Sequence, residues 1–174
     1  MIWLSLAPIL FVIIVLIISY NRLVADKHRV LAGWSDIDVQ LKRRHDLIPK
    51  LVQAIQQYTR YEQATLEAIT ELRQQAKQPM DISTRSQLEN KLTGSLFSLY
   101  AVAEDYPDLK SNQNYLDLQQ QITLIEQDIH FARRYFNGAV NKLNTRIETF
   151  PELIVARLLR FKPASYFELQ ERQA

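Results

Sequence analysis

The stretch that decides the fold is residues 1–20, MIWLSLAPILFVIIVLIISY, which contains no charged side chain. As a helix, a run of this length spans about 30 Å, the thickness of the hydrocarbon core of a bilayer. Trp3 and Tyr20 lie near the two ends of the run, and amphipathic aromatic rings favour the headgroup level of a bilayer. A cleaved signal peptide would need a basic start and a small-residue cleavage site, and this stretch has neither. We therefore predict an uncleaved transmembrane anchor.

The charges that follow the anchor predict its orientation. Arg22, Lys27 and Arg29 stand close behind its end, against the single acidic residue Asp26. Cytoplasmic flanks of membrane spans carry an excess of Lys and Arg. We therefore expect the N-terminus outside the cell (inner) membrane and the rest of the chain in the cytoplasm.

Composition predicts one helical domain after the anchor. About 150 residues follow it, which is enough for a domain with a real core. The whole chain has three glycines and six prolines, and no run of Val, Thr and aromatic residues indicates a strand. The net charge of +2 is too small to indicate nucleic acid as a partner. The predicted class is all-α.

Apolar residues recur at helical spacing in four segments after the anchor. The fourth segment has the longest seam, which consists of Leu118, Ile122, Ile125, Ile129, Ala132, Phe136, Ala139 or Val140, Leu143, Ile147 and Phe150. Prolines 79, 107 and 151 mark segment ends, because the residue before a proline is disfavoured in a helix. Ser83 or Thr84 is expected to cap the third segment, and Ser111 or Asn112 the fourth.

Pro49 leaves two interpretations open. The apolar register runs through it, as in one long helix kinked at proline. Alternatively, Asp46 is an N-cap and Pro49 stands in the first turn of a new helix, where a missing N–H has no cost. A helix over residues 21–77 would reach about 85 Å and outrun its neighbours, so we favour a chain reversal near residues 45–48.

The predicted architecture is a transmembrane helix followed by an up-and-down, four-helix bundle with long helices. We divide the chain into an anchor (1–20), a cytoplasmic bundle (21–150) and an amphipathic, basic C-terminal tail (151–174).

A basic cluster and an acidic loop form the first candidate site. The cluster falls at the expected reversal, and the loop falls at the next turn of the same, membrane-distal end of the bundle. Mutual ion pairing is the simplest outcome, and a partner-binding site is the functional alternative. The candidate residues are Lys42, Arg43, Arg44, Asp46, Glu104, Tyr106, Asp108 and Lys110.

Residues for enzymatic chemistry are poorly represented. The chain has no cysteine, no Gly-rich phosphate loop and no nucleophile elbow. Glu126 and His130 are i, i+4 neighbours, but a di-iron bundle needs two Glu-x-x-His pairs and two further glutamates, so we interpret them as a surface pair. We predict no catalytic residue, cofactor or metal. An enzyme, metal-dependent or other, that uses the bundle interior is the alternative.

The tail contains a short amphipathic stretch, PELIVARLLRFK, with the cations Arg157, Arg160 and Lys162. It either closes the open end of the bundle or lies on anionic headgroups as an interfacial helix. In a four-helix topology the tail returns to the membrane side, so these three cations are candidates for membrane-surface contact. A lipid-sensing or membrane-remodelling role, with membrane lipids as partner, is a further alternative.

Several motifs make the chain resemble the LemA family. They are YNxLV from Tyr20, AxWxxIDVQLKRRxDLIPxLV from Ala32, ExYPxLK from Glu104, IxFARRYxNxxV from Ile129 and FKPxxYFE from Phe161. These motifs follow one another over essentially the whole chain. The motif from Ile129 adds Arg133 and Arg134 to the candidate cluster. Lys50 and Gly138 depart from the pattern we expect, and Gly138 would loosen the fourth segment locally.

The resemblance implies a bacterial-type, single-span membrane protein with an outside N-terminus and a cytoplasmic helical bundle. It implies no enzymatic activity, and it implies an adaptor role with a membrane protein as partner, since such proteins are often associated with membrane proteases or envelope proteins. We therefore predict a non-enzymatic scaffold or adaptor, or a self-assembling membrane-associated protein.

The length of the fourth segment predicts a homo-oligomer. This segment outreaches the third, and its overhang carries Phe136, Val140, Leu143, Ile147 and Phe150. We expect one chain to leave this overhang uncovered. Uncovered apolar surface of that extent marks an interface, so a second copy is the expected partner.

Overall fold

The computed structural model describes residues 2–58 and 62–167, with side chains from residue 8 onward. Helices make up nearly all of this part of the chain, and no strand occurs in it. The predicted all-α class is therefore confirmed. The helices are α1 (Ile2–Gln56), α2 (Gln63–Ala76), α3 (Ile82–Ala103), α4 (Pro107–Lys110), α5 (Gln113–Glu148) and α6 (Glu152–Leu158).

The chain divides into two compact units, and both α1 and α5 contribute to each of them. We call residues 2–36 and 133–166 the anchor unit. We call residues 37–58, 62–132 and 167 the bundle unit. Each unit has its own cluster of buried apolar side chains.

Four helical stretches form the bundle unit: residues 37–56 of α1, the helices α2 and α3, and residues 113–132 of α5. Their apolar seams meet in one core, as helical periodicity predicts. This is the four-helix bundle. The buried members of its core are Ile48, Leu51, Ala54, Ile55, Leu66, Ile69, Leu92, Leu96, Leu99, Ala103, Leu109, Tyr115, Leu118 and Ile122.

Side-chain caps begin two of these helices. The carboxylate of Asp81 accepts a hydrogen bond of 3.0 Å from the backbone N–H of Thr84, so α3 begins earlier than we expected from Ser83 or Thr84. The Asn112 side chain accepts a hydrogen bond of 3.0 Å from the N–H of Tyr115, as expected for the start of α5. Both caps satisfy a donor that has no partner within its own helix.

The chain does not reverse near residues 45–48, so the interpretation that we favoured is wrong. Helix α1 continues through Pro49 to Gln56. We expected the reversal because we assumed that one bundle has to cover the whole helix. Instead, α1 up to Asp36 belongs to the anchor unit, and only the remainder belongs to the bundle unit.

A side chain from α2 replaces the hydrogen bond that α1 loses at Pro49. Proline has no N–H, so the carbonyl oxygen of His45, four residues earlier, has no donor within the helix. The Nε of Arg73 donates to that oxygen at 2.6 Å. This bond joins α1 to α2 at the proline and explains how the helix continues there.

The first part of α1 is long and apolar enough to cross a membrane, by length and composition. Its best 18-residue window has a mean hydropathy of 2.2, and 11% of that window is buried within the protein. From Ile9 to Ile18 nearly every side chain is exposed. A helix that is apolar on all sides and uncovered by its own chain suits a lipid environment.

Beyond the apolar stretch, α1 packs closely against α5 within the anchor unit. The rings of Trp34 and Phe136 have centroids 5.8 Å apart. A Cβ atom on Gly33 would lie 3.1 Å from a ring carbon of Tyr135, so the missing side chain of this glycine permits the close approach. Helix α5 continues without a break through Gly138.

Most of the overhang that we expected to be uncovered is covered by its own chain. Phe136, Val140 and Leu143 are at most 4% exposed, Ile147 is half-buried, and Phe150 is exposed. Our expectation was wrong because α1 and α6 also belong to this unit; Ile147, for example, packs against the cluster of Leu23, Val155 and Ala156. This surface therefore gives no argument for a homo-oligomer.

We expect Arg73→Met to lower the free energy of unfolding by about 1–3 kcal/mol, because it leaves the carbonyl oxygen of His45 without a donor. In a Pro49→Ala background the alanine N–H can bond that oxygen. The same Arg73→Met change should then cost at least about 0.5 kcal/mol less. Urea unfolding of the four full-length variants in detergent measures the coupling. Equal costs in both backgrounds would contradict this account of Pro49.

Candidate functional site

The predicted basic cluster lies within α1, in the last third of the helix, so its placement at a turn is wrong. Lys42 and Arg43 are exposed, whereas Arg44 and His45 are buried. Successive residues of a helix point about 100° apart, so a short run of charges reaches both the solvent and the core.

Arg44 is the centre of a buried charge network within the bundle unit. Its side chain is 0% exposed and forms ion pairs with Glu89 of α3 and Glu126 of α5. Its Nη1 donates to Oε1 of Glu126 at 2.5 Å and to Oγ1 of Thr93 at 2.6 Å, and its Nη2 donates to the Glu89 carboxylate. One guanidinium thus joins three helices. We call Arg44, His45, Glu89, Thr93 and Glu126 the Arg44 network.

His45 makes a second contact with Glu89. Its Nε2 lies 3.1 Å from Oε1 and 3.3 Å from Oε2 of that carboxylate. A carboxylate only accepts hydrogen bonds, so we assign the proton to Nε2 in this contact. Since the backbone carbonyl of His45 binds Arg73, this residue links the network to the proline site.

The contacts of the Arg44 network stabilise the charged forms of Arg44 and Glu89. Burial raises the pKa of Glu89, but the hydrogen bond from His45 and the charge of Arg44 outweigh it and hold the pKa below its ordinary value. Burial lowers the pKa of Arg44, but Glu126 and Glu89 raise it above its ordinary value. Groups with such pKa values exchange protons poorly near neutral pH, so this arrangement favours a structural role over acid–base catalysis.

Arg43 and Arg44 do not pair with the acidic loop, so the expected ion pairing between the two sites is wrong for them. Arg44 binds Glu89 and Glu126, and Arg43 lies 4.0 Å from Asp128. The two carboxylates bind the terminal nitrogens of Arg44 within the bundle unit, so this guanidinium is not directed to the acidic loop.

The acidic loop surrounds the one-turn helix α4. Tyr106 precedes this helix, Pro107 takes its first position, and Leu109 is buried in the bundle core. Glu104, Asp108 and Lys110 are exposed. A partner-binding role for these exposed side chains stays a prediction.

A second set of buried charges lies in the anchor unit, just beyond the apolar stretch. Asp26 is 1% exposed and forms ion pairs with Arg29 at 2.5 Å and with Arg146 of α5. Arg146 also lies 3.2 Å from Glu152 of α6. Burial raises the pKa of Glu152, but its own backbone N–H and the guanidinium groups of Arg22 and Arg146 hold it below its ordinary value. One arginine therefore joins α1, α5 and α6.

Glu126 does not form the surface pair with His130 that we predicted. Its carboxylate turns inward to Arg44, whereas His130 is exposed. Among the residues that the structure describes, no three His, Cys, Asp or Glu side chains are grouped so as to hold a metal ion.

The remaining candidates divide by exposure. In α5, Arg133 is buried and Arg134 is exposed. Arg157, near the end of α6, is exposed, as are Arg160 and Lys162 beyond it. Their predicted roles in partner and membrane contact stay predictions.

Glu89 and Glu126 were missed as members of a site, although the sequence holds a signal for them. Each occupies a position where the seam of its helix calls for an apolar residue: Glu89 comes three residues before Leu92, and Glu126 lies between Ile122 and Ile129. Helical periodicity directs a charged residue at a seam position toward the core, and a charge in the core needs a partner.

We expect Arg44→Met to lower the free energy of unfolding by about 3–5 kcal/mol, because Glu89 and Glu126 would remain charged without a counter-ion. Adding Glu89→Leu and Glu126→Leu should recover most of that loss. The exposed neighbour is the matched control, and Arg43→Met should change stability by no more than about 0.5 kcal/mol. Urea unfolding of the full-length variants decides this, and an Arg44→Met protein as stable as the parent would contradict the network.

Known proteins resemble the chain over most of its length. The profile of the LemA family matches residues 33–174. The chain is similar to Protein LemA of Metamycoplasma hominis, with 28% identity over 152 residues, which cover 87% of this chain and 69% of the relative. It is also similar to the Magnetosome proteins MamQ 1 and MamQ 2 of Paramagnetospirillum magneticum. Each is 23% identical over 190 aligned residues, which cover 94% of this chain and 70% of the relative. On the family match, the chain belongs to the LemA family.

Proposed function

We propose that the protein is a single-span membrane protein whose cytoplasmic helical domain acts as a scaffold or adaptor without enzymatic activity. The observation that carries the proposal is the continuity of α1. Its exposed apolar stretch from Ile9 to Ile18 and its core residues from Ile48 to Ile55 belong to one helix, with no loop between them. A core helix that begins inside a lipid anchor suits a protein that works at the membrane surface.

The buried charges support the non-enzymatic part of the proposal. Arg44, Glu89 and Glu126 are engaged with one another, and Asp26 and Arg146 form a second closed set. Catalytic groups need donor or acceptor atoms that are free to contact a substrate, and they need pKa values near the working pH. These groups hold together helices instead, which is what a rigid binding domain requires.

The flank of the apolar stretch supports a cytoplasmic domain. Arg22, Lys27 and Arg29 are exposed on α1 directly after the stretch. Cations in this position retain the flank on the cytoplasmic side during insertion. The resemblance to the LemA family implies the same orientation.

Protease protection tests the orientation. We expect a protease added to intact spheroplasts to leave residues after the anchor uncut, because the bundle then lies inside. Permeabilised spheroplasts are the control, and there the same protease should degrade the bundle. Digestion of the bundle in intact spheroplasts would reverse the proposed topology.

An exposed stripe on α5 supports self-assembly, with a second copy of the chain as the partner. Leu116, Leu124 and Phe131 are exposed and recur every seven or eight residues, so they lie along one side of the helix. Leu124 also lines a surface cleft of about 490 Å³ together with Arg43 and Asp128. A cleft that carries both a positive and a negative side chain can be self-complementary in a two-fold dimer. Tethering of all copies of the chain to one membrane raises their local concentration, which favours the contact.

The stripe predicts which substitutions separate the copies. Full-length protein in mild detergent should sediment well above the mass of one chain, and Leu124→Asp with Phe131→Asp should shift it toward the monomer with unchanged helix content. The buried Leu143 is the matched control, since Leu143→Asp should instead cause unfolding. A parent protein that is monomeric at micromolar concentration would exclude self-assembly. The adaptor role would then remain, and affinity purification from native membranes would test it.

A further inference from the structure

We propose that α6, with Phe150 before it, is a membrane-interface helix that binds the surface of a bilayer containing anionic phospholipids. The proposal rests on the membrane anchoring by α1 proposed above. It goes further by assigning a second, independent lipid contact to the C-terminal part of the chain.

Contacts within the anchor unit place α6 directly after the apolar stretch of α1. The Nη1 of Arg22 lies 3.4 Å from Oε1 of Glu152, and Leu23 packs against Val155 and Ala156. At 1.5 Å per residue, Leu23 lies about 5 Å beyond Tyr20, where the stretch ends. That distance is about the depth of the headgroup layer, so α6 lies at the level at which interfacial helices bind.

The side of α6 that faces away from α1 carries large apolar side chains. Phe150 is 78% exposed, Leu158 is 77% exposed and Ile154 is 53% exposed. They follow one another at intervals of four residues, so Ile154 and Leu158 share one helix face. Apolar side chains at the end of a membrane span continue the surface that the span already presents to lipid, and the bilayer is therefore their nearest apolar surroundings.

Exposed cations select an anionic surface. Arg157, Arg160 and Lys162 are exposed, and Lys27 of α1 lines the same surface cleft as Arg160 and Lys162. Along α1, Lys27 lies seven residues, about 10 Å, beyond Tyr20, so these cations are about one Debye length from the end of the apolar stretch and attract anionic lipids. A second copy of this chain would bring the same cations together, so charge favours the bilayer over self-association at this face.

Arg160 stands in a backbone conformation that favours glycine. Its φ is 54°, in the left-handed region. The N–H of Phe161 donates to the carbonyl oxygen of Ala156 at 2.9 Å, and the N–H of Arg160 donates to that of Arg157 at 3.3 Å. These two bonds form the usual C-terminal motif of a helix, in which glycine has no Cβ penalty. Arg160→Gly therefore removes a cation while keeping the turn.

Asn144 of α5 fixes the chain beyond α6. Its Nδ2 donates to the carbonyl oxygen of Ala164 at 3.0 Å, and the N–H of Ala164 donates to its Oδ1 at 2.8 Å. Lys162, two residues before this clamp, is thus carried by an ordered segment. The cations form a fixed surface beside α1.

Depth measurements on the full-length protein in vesicles test the proposal. The chain has no cysteine, so single cysteines with a polarity-sensitive fluorophore each report one position. Ile154→Cys probes α6, and Ile14→Cys probes the anchor. Tyr135→Cys is the matched control: its side chain is also 53% exposed, but it lies beside Gly33, about 20 Å along α1 from Tyr20.

Vesicles of zwitterionic and anionic phospholipid with brominated acyl chains give the readout. We expect quenching of the residue 154 label at least about two-fold stronger than that of the residue 135 label, with a blue shift. Quenching at residue 14 but not at residue 154 would overturn the interface proposal alone. Absence of quenching at residue 14 would overturn the anchoring on which it rests. A blue shift at residue 154 without lipid quenching would mean that protein covers α6, and would also overturn the proposal.

Lipid charge provides the second arm of the test. Replacing zwitterionic phospholipid by phosphatidylglycerol should increase quenching at residue 154 by about two-fold, because the cations are attracted to the surface. Arg160→Gly combined with Arg157→Gln should remove most of this increase while the helix content stays unchanged. Quenching that does not respond to lipid charge would overturn the selection of anionic lipid.

Discussion

Helix α1 carries two patterns of apolar side chains along one continuous length, and the packing of both units depends on it. From Ile9 to Ile18 its apolar side chains point in all directions, a pattern that suits a lipid environment. From Leu23 onward the buried apolar positions narrow to a stripe that includes Val30, Ile37 and Leu41. No turn separates the two patterns, because the stripe begins within the same helix. In each unit, the helices that pack on α1 therefore meet a buried stripe of the same continuous helix.

Buried charges add a requirement that apolar packing alone does not impose. In the bundle unit Arg44 meets Glu89 and Glu126, and in the anchor unit Asp26 meets Arg146. Within either unit, a helix displaced by one turn would keep most of its apolar contacts but would leave a buried charge unpaired, at a cost of several kcal/mol. These pairs therefore specify the register of α5 against its neighbours more sharply than the seams do.

The sequence predicts the helices well because hydrophobic periodicity is a local property, and the seam of α5 is legible over its whole length. It fails where a contact joins distant parts of the chain. Nothing near Pro49 announces that Arg73, 28 residues from His45, will bind the freed carbonyl. The cover of Leu143 and Ile147 was missed for the same reason, because α6 is only seven residues long and its partner Leu23 lies near the other end of the chain. Arg44 was interpreted as part of a charged run, although its seam position indicates burial.

The bond between Arg73 and the carbonyl of His45 also limits the order in which these two positions can change without loss of stability. A lineage that first replaces Arg73 retains Pro49 and leaves the carbonyl oxygen of His45 without a hydrogen-bond donor between α1 and α2. A lineage that first replaces Pro49 regains a helical hydrogen bond and makes the arginine dispensable. Among relatives with this fold, loss of the arginine should therefore follow loss of the proline and rarely precede it.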